Sequence, residues 1–300
     1  MDRPLELGHL LTEQPNPASE NLDALPTLEM LAVFQREDRR VPEAVEKALP
    51  RIADSVDAIA GLLRLGGRLF YIGAGTSGRL GVLDASECPP TFNVPPELVT
   101  AIVAGGDHAL RHSVEAVEDS AATGAADLLA QGFSSHDALV GIAASGRTPY
   151  VLGAIDAANQ LGALTACIVC SPGSPLAARV RIPIELLTGP EVIAGSTRLK
   201  AGTATKLALN MLSSGVMVRL GHVYSNLMVN VRPLNAKLLD RARRIVAALA
   251  GVPAGVAADL LEASAGSVPT AIVMGKLGLP RDQAEARLAA CQGRIRDALK

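Results

Sequence analysis

Tryptophan is absent from these 300 residues, and all aromatics together make up 2%. A hydrophobic core must therefore be built from Ala, Val, Leu and Ile, which favours close-packed α/β layers over an aromatic-rich β-sandwich. Cysteine is also scarce. Cys88, Cys167, Cys170 and Cys291 are scattered along the chain and offer no disulfide framework, so a reducing cytoplasm is the expected compartment. There is no long basic run and the formal charge is -2, so the electrostatic footprint of a nucleic-acid binder is missing. No apolar stretch reaches about 18–20 residues, so no membrane span is expected. The first residues include Asp2, Arg3 and Glu6 in place of an apolar signal core. What is present is apolar material: 49% hydrophobic residues and a mean hydropathy of +0.28. That suffices for one large domain, or a medium domain with an appendage.

Residues 1–26 are rich in Pro, Asn and Glu and read as extended. Thr27 can cap a helix starting near Leu28, and a second helix over 43–64 carries Val45, Leu49, Ile52, Val56, Ile59 and Leu62 at helical spacing. Then the pattern becomes strand, loop, helix. Strands are predicted at Arg68–Ile72, Leu98–Ala104, Ala138–Ala143, Leu164–Cys170 and Val180–Glu185. Most are continuous apolar runs, as in strands buried on both faces of a parallel sheet. Helical patterns lie between them near 108–130 and 149–161. The expected fold is α/β: a doubly wound five-stranded parallel sheet, preceded by N-terminal helices and followed by a small C-terminal three-helix domain. The expected divisions are 1–58 for the extension and helices, 59–222 for the sheet domain, 223–250 for a connecting helix and 251–300 for the small domain. Ligands of such sheets bind at the carboxyl ends of the strands.

Two loops at that edge stand out. The first, Gly73-Ala74-Gly75-Thr76-Ser77-Gly78-Arg79, follows the first strand and opens a helix that continues through Asp84-Ala85-Ser86-Glu87 to a Cys88-Pro89-Pro90 stop. Its letters match a dinucleotide GxGxxG, but the acidic residue that reading needs about twenty positions on is missing. Helix N-terminal amides plus the Thr76 and Ser77 hydroxyls suit a phosphate monoester better, with a merely tight turn as the other reading. The second loop, Ala144-Ser145-Gly146-Arg147-Thr148-Pro149, also follows an apolar strand and precedes a helix. Together the loops can clamp one phosphorylated ligand through Thr76, Ser77, Ser145, Thr148 and the amides of Gly75, Gly78 and Gly146.

Other groups carry two readings each. Glu87 is either a buried acid whose pKa burial raises, hence a proton donor, or an exposed residue near a helix end. Glu115 and Glu118 are three apart and share a face if helical, either functional or a solvated acidic surface. His108 and His112 have zinc-compatible spacing but lack the HExxH glutamate, so a surface helix face is preferred. Cys167 and Cys170 have CxxC letters inside a strand, where residues three apart face opposite ways, so no redox or metal role is expected. The stretch Gly195–Lys206 is polar at the mouth of a helix spanning 198–220. Arg198, Lys200 and Lys206 either supply charge to an anionic ligand or are ordinary cations of a capped helix.

The blocks Gly73–Arg79, Asp84–Pro90, Val117–Ser120, Gly141–Tyr150 and Gly195–Lys206 resemble the N-acetylmuramic acid 6-phosphate etherase family. The resemblance runs from about Leu25 to the C-terminus and is strongest over 66–215. It implies a sugar isomerase (SIS) domain with a ubiquitin-associated-like helical tail. It implies a cytoplasmic homodimer acting on a small sugar phosphate in cell-wall amino-sugar recycling; no metal, cofactor, nucleic acid or membrane is expected. The implied reaction cleaves a lactyl ether to give N-acetylglucosamine 6-phosphate and D-lactate. Glu87 matches the family's proton donor and Glu118 its second catalytic residue; Arg79, Glu115, Arg198 and Lys200 are candidates for supporting roles.

The chemistry is consistent with two carboxyls. The ether oxygen lies β to the aldehyde carbon of the ring-opened sugar. A base takes the C2 proton, lactate leaves C3 with help from an acid, and water adds back. The expected split is Glu118 as base and Glu87 as acid. Two rivals share the shape: a non-catalytic sugar-phosphate regulator, as in a glucokinase-regulating protein with a second SIS domain for which 300 residues leave no room, and an aldose–ketose isomerase.

Overall fold

The computed structural model describes Gly8 and residues 10–114, 117–231 and 236–300. The chain divides into two compact units, Met1–Ala85 with Glu97–Ser213, and Ser86–Pro96 with Ser214–Lys300.

In the first unit the segment expected to be extended instead forms single 3-10 turns at Pro17–Ser19 and Leu22–Ala24. The Asn16 side chain caps the first of these by accepting from the Ala18 amide (2.9 Å). Helices α1 (Thr27–Asp38) and α2 (Arg40–Arg64) follow. Next come β1 (Leu69–Gly73), α3 (Gly75–Phe92), β2 (Val99–Val103), the four-residue α4 (His108–Arg111), α5 (Ala121–Ala130), β3 (Ala138–Ile142), α6 (Pro149–Gln160), β4 (Leu164–Val169), β5 (Ile182–Glu185) and α7 (Lys200–Leu220), with α3 from Ser86 and α7 from Ser214 counted in the second unit. All five strands fall where the apolar runs put them. They pair in parallel in the order β2-β1-β3-β4-β5. β1, β3 and β4 are buried throughout, which is why their sequences are continuously apolar rather than alternating.

Two departures from the sequence pattern bear on the site. The helix expected over 108–130 is broken. His112 is extended and ends α4, and Ser120 restarts the chain by accepting from the Thr123 amide (3.1 Å). Glu118 therefore lies in a turn, and Glu115, expected to share a helix face with it, lies outside the described residues. The Cys-Pro-Pro stop does not stop α3 either. Pro89 and Pro90 sit inside it, and the helix closes one turn later with the Asn93 amide on Pro89 O (2.9 Å). Prolines this near a C-terminus remove only two helix bonds, and the buried Cys88 and Phe92 hold the turn in place.

One face of the sheet packs on α5 and α6 through Phe70, Ile72, Leu139, Val151 and Ile155. α5 and α6 touch backbone to backbone. A Cβ on Gly124 would stand 1.9 Å from Tyr150 O, and one on Gly153 2.0 Å from Ala121 O, so neither position accepts a side chain.

Two buried polar clusters brace this unit. Lys200 is fully buried, and its Nζ donates to Glu37 Oε2 at 2.6 Å. Asn16 Nδ2 donates to the same oxygen (2.8 Å) and to Pro190 O (3.1 Å), linking the N-terminal segment, α1 and the start of α7. The second cluster centres on Asp84, which accepts from Tyr71 Oη (3.0 Å) and Ser213 Oγ (3.1 Å). Burial pushes its carboxyl up to about 6, against the pull of Ser213, Tyr71 and the Lys206 charge.

In the second unit a short hairpin, β6 (Val223–Tyr224) and β7 (Leu227–Met228), precedes α8 (Ala236–Ala250), α9 (Ala254–Ala263), α10 (Val268–Leu277), α11 (Arg281–Ala290) and the four-residue α12 (Ile295–Ala298). Three of these, α9, α10 and α11, lie where the three short helical patterns after Gly251 were expected, and the four-residue α12 is an addition to them. α8 shares their core through Ala242, Ile245, Val246 and Ala250.

Two outcomes test the braces. Lys200→Met leaves buried Glu37 with only the exposed Arg40 guanidinium (3.3 Å) as a cation and should cost about 3 kcal/mol in urea unfolding, with Lys200→Met/Glu37→Gln recovering much of it. Asp84 binds its proton more tightly folded than unfolded, so its contribution to stability falls as pH rises from about 4 toward 6. The stability of Asp84→Asn relative to wild type should therefore rise by roughly 2 kcal/mol between pH 4.5 and 7.5. A difference that stays flat across that range would remove the assignment.

Candidate functional site

The strand order reverses direction at β1, whose neighbours β2 and β3 are reached by crossovers on opposite faces; the crevice between β1 and β3 is where ligands of such sheets bind. Gly73, the last residue of β1, pairs with Ile142, the last residue of β3. The two loops singled out in the sequence therefore leave the sheet side by side.

The first loop is held very close to its strand. A Cβ on Gly78 would stand 2.6 Å from Gly73 O, and one on Gly73 would stand 2.7 Å from Gly78 N. Both must be glycine for the helix to begin this near the strand end. Gly75 has φ +53° and open space above it. The Gly78 amide donates to Ala74 O (3.3 Å) and closes the first turn of α3. The amides of residues 75–77 precede that bond, and so are the ones a helix start leaves without an intrahelical acceptor.

In the second loop the Gly146 amide is likewise engaged, on Ala143 O (3.0 Å), and Ser145 Oγ accepts from the Arg147 amide (3.3 Å). Gly146 has φ +64°, and a Cβ there would stand 2.2 Å from Ser174 Oγ. What makes residues 78 and 146 glycine is thus close packing, because their amides close the turns in which they sit. The Thr148 side chain makes no capping bond at the start of α6.

Glu118 joins this second loop. Its carbonyl accepts the Tyr150 amide at 3.0 Å, so the turn that carries it is tied to the start of α6. Its side chain is exposed. The neighbouring Val117 and Ser120 help line a cavity of about 640 Å³ that runs along the β2 edge past Ile102, Val103 and Asp107. Glu87, in the second unit, is also exposed on α3, which is the second of the two readings its sequence left open.

The supporting cations are mostly engaged in the fold. Arg79 donates from Nε to Ala109 O (2.9 Å) and from Nη2 to His112 O (3.0 Å), fixing α3 to α4. Lys200 is held by Glu37, and Arg198 is exposed. The N-terminus of α7, a natural anion site, is filled by the chain itself. Glu191 accepts the Lys200 and Ala201 amides through its two oxygens, both at 2.9 Å. Burial raises the Glu191 carboxyl even so. Sequence inspection missed this cap because Glu191 lies nine residues before the helix it closes, with no local spacing to mark it. The first turn of α7 still borders the first loop, since a Cβ on Gly202 would lie 3.7 Å from Thr76 Cγ2.

Cys167 and Cys170 are buried, and burial pushes both thiols up to about 12, which leaves them without thiolate chemistry near neutral pH. His108 and His112 stack at 4.5 Å between ring centroids and are exposed.

The family model described as the glucokinase regulatory protein N-terminal SIS domain matches residues 51–159. The chain is 54% identical to a protein of Serratia proteamaculans named N-acetylmuramic acid 6-phosphate etherase, over 98% of this chain and 99% of that one. It is 53% identical to the protein of that name from Pectobacterium atrosepticum, over 98% and 97%. A third such relative, from a Synechococcus species, is 54% identical over 97% and 92%. Identity at this level across both units, and not over the sheet alone, means that the chain belongs to the N-acetylmuramic acid 6-phosphate etherase family.

Proposed function

We propose that this chain is a carbon–oxygen lyase that cleaves the D-lactyl ether of N-acetylmuramic acid 6-phosphate, giving N-acetylglucosamine 6-phosphate and D-lactate. The observation that carries the reading is the full-length identity to relatives named for that activity. The glucokinase-regulator model covers only residues 51–159, so it favours the domain rather than a regulator's role.

The substrate phosphate is held by the hydroxyls of Thr76, Ser77, Ser145 and Thr148 and by the first-turn amides of α3, Gly75 among them. Gly78 and Gly146 contribute by letting the two loops lie close to their strands. The pairing of Gly73 with Ile142 supports this, because it sets both hydroxyl clusters at one sheet edge. A phosphate gains from several charge-assisted bonds at a helix start without needing a buried cation.

In the open-chain sugar the C2 hydrogen is acidic because the aldehyde accepts the electron pair released there. Glu118 takes this proton. The pair then forms the C2–C3 double bond, and the C3–O bond breaks as Glu87 protonates the departing lactate oxygen. Glu87, now a carboxylate, takes a proton from water, which adds at C3, and Glu118 returns its proton to C2. The position of Glu118 beside the second loop supports its role as base. The Glu87 role rests on the family resemblance, and its exposure leaves it open to solvent water.

The active form is a homodimer in the cytoplasm. Leu28 and Leu31, 81% and 54% exposed on α1, are apolar surface that a second copy would cover. Among the described residues no single helix is long and apolar enough to cross a membrane.

Lactate should appear when the protein is incubated with N-acetylmuramic acid 6-phosphate, and Glu87→Gln should abolish its release. Glu118→Gln should also stop exchange of the C2 hydrogen with deuterated solvent; full-rate exchange in that variant would reassign the base. Ser77→Ala and Ser145→Ala should each raise KM about tenfold or more, as expected for losing a hydrogen bond to a charged group. An unchanged KM would remove the phosphate cradle.

A further inference from the structure

The proposed substrate carries two anions, the phosphate and the carboxylate of the lactyl group, and the following inference rests on that reading. Hydroxyls and amides suit the phosphate, whereas a carboxylate beside a breaking C–O bond calls for a cation. Most cations at the carboxyl edge of the sheet are otherwise engaged. Arg79 is bound to two carbonyls and Lys200 to Glu37. Arg198 and Lys206 are exposed, where water screens them.

Arg147 differs. It stands between Ser145 and Thr148, and its Nε is buried with no hydrogen-bond partner among the described residues. Burying a guanidinium N–H without an acceptor is costly unless a ligand supplies one. A second group at this edge is in the same condition. Ser171 is 2% exposed, and its Oγ has no partner among the described residues. The segment carrying Ser171 is bonded directly to the Arg147 loop, with the Cys170 amide on Ala144 O (2.8 Å) and the Leu176 amide on Gly146 O (3.0 Å). Arg147 is also three residues from Tyr150, whose amide holds Glu118 O.

We propose that Arg147 is a specificity-determining residue that takes the lactyl carboxylate. The ether oxygen is bonded to the carbon that bears this carboxylate. A guanidinium there offsets the charge that builds on the departing oxygen, and it separates the lactyl sugar from its product, which has no such group.

The test compares wild type, Arg147→Met and Arg147→Lys on three reactions. These are lactate release from N-acetylmuramic acid 6-phosphate, release of lactamide from its lactyl amide, and C2 hydrogen exchange of N-acetylglucosamine 6-phosphate in deuterated water. Wild type should prefer the acid over the amide in kcat/KM by about tenfold to a hundredfold. Arg147→Met should lose that preference while its C2 exchange stays within about twofold of wild type, and Arg147→Lys should retain part of the preference. Exchange that falls together with lactate release would put Arg147 on the phosphate or in the fold, and a preference retained in Arg147→Met would also overturn the assignment. A wild type that releases lactate from neither substrate would instead overturn the etherase reading, and this assignment with it.

Discussion

The parallel register between β1 and β3 is the constraint on which the rest depends. Gly73 lies opposite Ile142, and every residue of β1 and β3 is buried, so neither strand can slide without stranding backbone groups in an apolar core. The two glycine and hydroxyl loops are attached to the ends of these two strands. Thr76 and Ser77 follow one within a turn, and Ser145 to Thr148 follow the other. Register thus does for the site what a flexible loop could not: it sets the separation of the two hydroxyl clusters.

Close backbone approach transmits that constraint outward. Gly78 lets α3 begin against Gly73 O, and Gly146 lets the segment around Ser174 close over the second loop. Gly124 and Gly153 let α5 lie on α6, and the same contact carries the turn of Glu118 to the Tyr150 amide. A chain this poor in aromatics cannot fill gaps with large rings. It closes them by bringing backbones together, which is a structural use for its 28 glycines.

The electrostatics follow a similar logic. Charges that look available in the sequence are drawn into the frame: Lys200 to Glu37, Arg79 to two carbonyls, Glu191 to the head of α7. Buried charges must be paired, and the pairing ties the N-terminal segment and α1 to α7. Among the described residues Arg147 Nε and Ser171 Oγ have no hydrogen-bond partner, and this sets them apart from the charges drawn into the frame.

By itself the sequence determined the five strands, because a strand buried on both faces must be apolar without interruption. It also determined the two glycine and hydroxyl loops, because a tight strand-to-helix turn demands those residue types locally. The long blocks around them carried the family. Burial and partnership were decided only by the tertiary structure. Glu87 is exposed on α3, Lys200 is buried among residues about 160 positions away in the chain, and α3 runs through Pro89 and Pro90 because buried Cys88 and Phe92 outweigh two lost helix bonds. The break at His112 that leaves Glu118 in a turn was equally invisible, since the helical period of 108–130 continues across it. A local pattern records what a residue can do, while its partners are supplied by segments distant in the chain, as Glu37 is for Lys200 and Tyr150 for the Glu118 carbonyl.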